Sequence, residues 1–147
     1  MVLAASLLGA LVWSWFDSSL QAAIRFEVRL AEDEPGPGLR EAKVTGSQRT
    51  VYLHNEVIVT NGDIASARAF QQDGTSNYGI SIEFKPSGTN KMRDATAKHI
   101  GKPMAILFDG EVVMAPVVRS SIGSSAEITG KFTKAEAESI ARRIEIQ

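Results

Sequence analysis

The chain has 147 residues, 44% of them apolar and 22% charged, the proportions of one ordinary globular domain with a short appendage. Sixteen Lys and Arg against seventeen Asp and Glu leave a formal net charge of −1, poor footing for gripping nucleic acid, which needs clustered positive charge. With no cysteine, disulfides, a thiolate nucleophile and cysteine-bound metals are excluded.

Residues 1–16, MVLAASLLGALVWSWF, carry no charge. As a helix the run reaches roughly 24 Å, short of a hydrocarbon core about 30 Å thick. Extension through residues 17–24 supplies the length but brings in Asp17 and several polar residues. Trp13, Trp15 and Phe16 suit a membrane–water interface. Residues 1–23 are therefore expected to form an N-terminal hydrophobic helix that anchors the chain. A cleaved signal core and a buried helix are the alternatives. No Lys or Arg precedes Arg25, and Arg25 and Arg29 follow the run, where the positive-inside rule would hold them in the cytoplasm.

Residues 24–147 read as one α+β domain: a small mixed, largely antiparallel sheet with two or three helices. Residues 24–30 alternate apolar and charged, which predicts a strand with one buried face. The acidic, Pro- and Gly-rich residues 32–38 are a loop. Residues 50–53 and 56–60 are β-branched extended segments. Asn61 or Asp63 is placed to cap a brief helix running through Ile64, Ala67 and Arg68. After a turn at Asp73, Gly74 and Asn77, residues 79–85 alternate as a strand. A helix is predicted from Ser87 or Thr89 to Ile100, with Met92, Ala95 and Ile100 as its apolar stripe and Gly101 and Pro103 as its stop. Residues 104–108, then Asp109-Gly110, then residues 111–114 spell a hairpin whose Asp-Gly supplies the two positive-φ positions of a type I′ turn. Residues 126–129 form a short strand ended by Gly130. Thr133 and Glu136 make a capping box, with Phe132 and Ala137 as a hydrophobic staple and Ala137, Ile140, Ala141 and Ile144 as the buried stripe.

Reactive groups do not converge in the sequence. His54 and Glu56 sit two apart and share one side of a strand, but a zinc site wants three or four ligands and only His99 remains as another histidine. His99 falls in the last turn of its helix, where a cation favours the helix dipole. No serine sits in a nucleophile elbow or a Ser-x-x-Lys pair, and no phosphate-cradling loop is present. Asp109 has a sufficient backbone role, and Arg142 and Arg143 read as a solvated face. The expectation is no catalysis, no metal and no cofactor.

The run TAKHIGKPMAILFDGEVVMAP, from Thr96 to Pro116, and ITGKFTKAEA, from Ile128 to Ala137, together resemble the head part of the first large periplasmic domain of SecD, a membrane subunit of the bacterial protein-export machinery. Looser similarity extends the resemblance over residues 24–144. It implies an extracytoplasmic domain on the periplasmic side of a bacterial inner membrane that handles emerging polypeptide, while a separate membrane part uses the proton gradient. Such a motor needs several further spans and an intramembrane acidic residue, which these residues do not supply. The matching residues look architectural: Gly101 ends a helix, Asp109 and Gly110 turn a hairpin, Pro116 removes a ladder donor, Gly130 ends a strand, and Thr133 and Glu136 cap a helix. Peptide binding is expected at the edge formed by Met114, Ala115, Pro116, Val117 and Val118, where an extended chain could add as a strand. The expected function is therefore a non-catalytic, membrane-tethered module that binds protein or unfolded polypeptide in the cell envelope, as an accessory in export or folding. A sensor or regulatory domain derived from a larger membrane receptor or peptidase is the alternative.

Overall fold

The computed structural model describes residues 22–146. The expected anchor helix lies outside the described residues, and no helix among them is long and apolar enough to cross a membrane. In chain order the elements are β1 (Phe26–Glu32), β2 (Arg40–Lys43), β3 (Thr50–Leu53), β4 (Val59–Thr60), a 3₁₀ turn (Asn61–Asp63), β5 (Ile64–Gln71), β6 (Tyr78–Phe84), α1 (Pro86–Ala97), β7 (Met104–Phe108), β8 (Glu111–Met114), β9 (Ser125–Phe132) and α2 (Lys134–Glu145). The class is α+β, and every strand pair is antiparallel.

Two sheets replace the single one expected. One runs β2-β3-β1-β7-β8, with β4 also paired to β1, and the other is β5-β6-β9. The reason is that β1 and β7 are buried on both faces. Phe26, Val28, Met104 and Ile106 point into the main core, which is completed by Ile80, Ile82 and Ile128 from the second sheet and by Met92, Ala137, Ala141 and Ile144 from the helices. Ala31, Ala105 and Leu107 point the other way and need a second cover. The first sheet supplies it by rolling up. Val44, just past β2, forms a parallel bridge with Val112 of β8, and the Thr45 N–H donates to the Val112 carbonyl at 2.8 Å. The strand path thereby returns to its start and encloses a small barrel filled by Val51, Leu53, Ala105, Leu107, Val112 and Ala115. Aliphatic side chains no larger than leucine, with alanines among them, fill so narrow a ring. Strand β2 escaped the sequence reading because its residues are polar and only Ala42 packs against the ring interior.

Several local expectations are corrected. The helix proposed after Asn61 is a single 3₁₀ turn with Thr60 and Asp63 as its capping box, and the chain then enters β5. Its alanines favour helix intrinsically, but pairing with β6 along the whole strand and cover by α2 override that preference of a few tenths of a kcal/mol per residue. Helix α1 begins at Pro86 and ends at Ala97, so Ile100 is outside it and 57% exposed rather than part of its stripe. Gly101, at φ 88°, belongs to the turn beyond that helix and not to its cap. Gly130 lies inside β9, which continues to Phe132; an added Cβ there would sit 2.8 Å from the Phe132 ring. The hairpin and the last helix are as expected. Asp109 (φ 50°) and Gly110 (φ 85°) form the turn between β7 and β8, and Thr133 and Glu136 cap α2.

Asn61 joins the beginning of the fold to its end. Its Oδ1 accepts from the Phe26 N–H at 2.8 Å, while its Nδ2 donates to the carbonyls of Ile24 at 2.8 Å and Ile144 at 2.9 Å. Only an amide both accepts and donates in this way.

Candidate functional site

The expected peptide-binding edge follows β8. Ala115 and Val118 are buried, Met114 and Pro116 are half-buried, and Val117 is 40% exposed. Much of the backbone here is already engaged. The Pro116 carbonyl accepts from the Met104 N–H at 2.9 Å, the Val118 N–H donates to the Lys102 carbonyl at 2.9 Å, and the Val118 carbonyl accepts from the Gly101 N–H at 2.8 Å. Arg49 Nη1 donates to the Ala115 carbonyl. These bonds flank an antiparallel bridge between Pro103 and Val117, a geometry that turns the N–H and C=O of Val117 away from residues 101–104.

What this stretch offers outward is therefore mainly side chain. Met104, Pro116, Val117, Val118 and Ile122 line a shallow, mostly apolar groove of about 210 Å³, with Arg119 on its lining. Ile100 precedes Gly101, whose N–H meets the Val118 carbonyl, so its backbone adjoins this segment. Three large apolar side chains are exposed among the described residues: Val117 lines this groove, and Ile100 lies one residue before the Gly101 bonded to Val118. Exposed apolar side chains of this kind are what a contact surface requires. A larger recess of about 430 Å³ lies between α1 and the 54–58 loop; Leu30, Ile58 and Ala95 are among its lining, together with Lys91, Lys98, Glu56 and Asp94. Its mixed charge favours no one sign of ligand.

The fold also assembles a cluster that sequence spacing did not reveal. One donor atom each from Glu32, His54 and His99 lie within 4.8 Å of one another. Glu32 ends β1, His54 directly follows β3, and His99 lies two residues past the end of α1, not in its last turn. His54 Nε2 is 3.0 Å from Glu32 Oε1, and the two imidazoles meet edge to face with centroids 5.8 Å apart. His99 is buried, and its Nε2 donates to the Ala31 carbonyl at 2.7 Å. Burial alone would push the Glu32 carboxyl up, but the His54 hydrogen bond, the Lys102 ammonium and His99 together hold it below its ordinary range. Lys102 Nζ lies 3.4 Å from Glu32 Oε2. The two histidines were visible in the sequence; their common partner, 22 residues from His54, was not.

The remaining marked residues have structural places. Asp109 Oδ1 accepts from the Arg25 N–H at 2.8 Å, so its side chain closes the start of β1 in addition to forming the turn. Thr133 and Glu136 exchange hydrogen bonds at 3.2 and 2.9 Å across the first turn of α2.

Comparison with known proteins agrees with this architecture. The family model described as SecDF, P1 head subdomain, matches residues 39–145. The protein translocase subunit SecD of Rhodobacter capsulatus is 40% identical over 96 residues, covering 64% of this chain and 17% of that protein. The protein translocase subunit SecDF of Thermus thermophilus is 42% identical over 86 residues, covering 57% of this chain and 11% of that protein. The chain thus spans less than a fifth of the length of either relative. A crystal structure of SecDF in a super-membrane-facing form superposes with a TM-score of 0.69 at 25% identity, over 85% of this chain and 19% of that one. The match covers most of the ring, the second sheet and both helices, and the chain belongs to the SecDF P1 head subdomain family.

Proposed function

We propose that the chain is a non-catalytic, polypeptide-binding head that works with the bacterial protein-export machinery, on the periplasmic side of the inner membrane. Residues 1–23 form its membrane attachment and residues 24–147 its folded part. The reading rests on family membership, since the named relatives are protein translocase subunits. The alternative of a sensor or regulatory domain from a receptor or peptidase gains nothing from those relatives.

One observation carries the choice of surface: Val117, exposed and apolar, lines the groove with Pro116 and Val118, and Ile100, also exposed, directly precedes the Gly101 that is hydrogen-bonded to Val118. An unfolded segment would bury an apolar side chain there, each worth about 1.5–3 kcal/mol when fully removed from water. Binding through side chains, helped by the one outward backbone pair of Val117, fits this edge better than addition of a long strand.

The test is a fluorescence-anisotropy titration of the full chain in detergent micelles with a labelled, permanently unfolded apolar peptide. Saturable binding is expected, weakened about tenfold or more in Val117→Asp and in Ile100→Ser, in keeping with about 1.4 kcal/mol per decade. No saturable binding, or equal binding by both variants, would overturn the assignment of this surface.

A further inference from the structure

The geometry points to a divalent transition-metal site at Glu32, His54 and His99, where a Zn²⁺-like ion would tie together the ends of β1 and β3 and the turn leading into β7. The donor set is two imidazoles and one carboxylate, a combination suited to borderline first-row cations and poorly matched to Ca²⁺ or Mg²⁺, which prefer oxygen. One donor atom from each residue already falls within 4.8 Å of the others. Ligands around a tetrahedral ion at about 2.1 Å stand about 3.4 Å apart, so closure needs movements of only about an ångström.

An independent observation concerns how the ligands are held. The Ala31 carbonyl can only accept, so the proton of the neutral His99 ring resides on Nε2, and its Nδ1 keeps the lone pair. A ring nitrogen that donates to a backbone carbonyl while the other bears the lone pair is the usual support for a metal-bound histidine. His54 is fixed through its backbone: its N–H donates to the Leu30 carbonyl at 3.0 Å, and Arg29 Nη1 donates to the Asn55 carbonyl at 2.7 Å. Both supports come from β1, the strand that also supplies Glu32. The competitor for the carboxylate is Lys102, whose side chain is 56% exposed and has room to swing into solvent when a cation arrives. Three protein ligands leave a fourth position for water.

This inference does not depend on the peptide-binding reading. It is tested by titrating the full, tag-free chain in detergent micelles with Zn²⁺ against a chromogenic chelator, and with Co²⁺ followed by visible absorption. One ion per chain is expected, with the intense Co²⁺ bands of four- or five-coordination and Zn²⁺-induced shifts of the His54 and His99 ring resonances. His54→Ala and Glu32→Gln, both at half-buried positions and checked for folding by circular dichroism, should each weaken binding about tenfold or more. Absence of saturable binding would overturn the site. So would binding that both substitutions leave unchanged, which would place the ion elsewhere.

Discussion

Asp63 stands where the 3₁₀ turn meets the start of α1. Its carboxylate accepts from the Thr60 N–H at 3.1 Å, from Lys91 Nζ at 3.1 Å and from Ser87 Oγ at 3.3 Å, and its carbonyl accepts from the Lys85 N–H. Burial by itself raises its pKa, but the Thr60 hydrogen bond and Lys91 outweigh that and hold the group below its ordinary range. A carboxyl depressed on folding stabilises the fold fully above its unfolded pKa of about 3.9, and this contribution is lost as pH falls through the lower folded value. Asp63→Asn should therefore lower stability at pH 7 by about 1–2 kcal/mol, the scale of hydrogen bonds to a charged acceptor. Urea titrations at several pH values should show the gap between wild type and variant narrowing below about pH 4. Glu32, also depressed, leaves the variant with some residual acid sensitivity. At this scale the sequence was readable wherever the chemistry is local. Thr133 finds Glu136 three residues on, and Asp109 and Gly110 need only each other. Asn61 was foreseen as a cap, yet its three partners belong to Ile24, Phe26 and Ile144, which no local pattern connects to it.

Helix α1 shows propensity and packing in opposition at the level of the element. Gly88 is buried where the helix crosses the 3₁₀ turn, and a Cβ there would come within 2.8 Å of Asp63 Cβ and 2.9 Å of its carbonyl oxygen. Ala is the better helix former by about 1 kcal/mol, whereas forcing a methyl into closed space costs about 1–3 kcal/mol. The obstacle includes backbone, which cannot rotate aside, so packing wins. Gly88→Ala should destabilise the fold by about 1–2 kcal/mol in urea denaturation; a stabilised variant would show that the two elements can separate without loss. The hairpin of β7 and β8 and the helix α2 were legible because turn chemistry and 3.6-residue periodicity are written in consecutive residues. Strand β5 was misread because its alternation is masked by small residues and its partner β6 is what makes it a strand. Strand β2 was missed because its meaning lies in closing a ring, and a mostly polar edge has almost no hydrophobic period to detect.

The whole molecule has two apolar interiors on opposite sides of β1 and β7, and these two strands are shared between them. Damage to the ring should therefore reach the main core. Leu107 is fully buried in the ring, and Leu107→Ala should cost about 2–5 kcal/mol. Because β7 is common to both interiors, unfolding followed by circular dichroism and by the methyl resonances of Leu53 in the ring and Ile82 in the main core should remain a single coincident transition. Two separated transitions would mean that the ring and the main core melt independently. This division is hidden in the sequence for two reasons: β7 is apolar on both faces and so shows no period, while in β1 the ring side carries Glu27 and Arg29 and only Ala31 joins the second interior.

Ile24 and Arg143 are hydrogen-bonded backbone to backbone at 3.0 Å, and the Arg143 guanidinium reaches the Ala22 carbonyl at 2.8 Å. Entry and exit of the folded unit thus share one corner. A polypeptide attached there at either side, or at both, would leave the barrel and the second sheet undisturbed, in the manner of a lantern hung from a single hook. Tension applied between residues 22 and 146 would meet first the few bonds at that corner, peeling residues 22–24 from the end of α2. Such a unit would yield mechanically from its point of suspension.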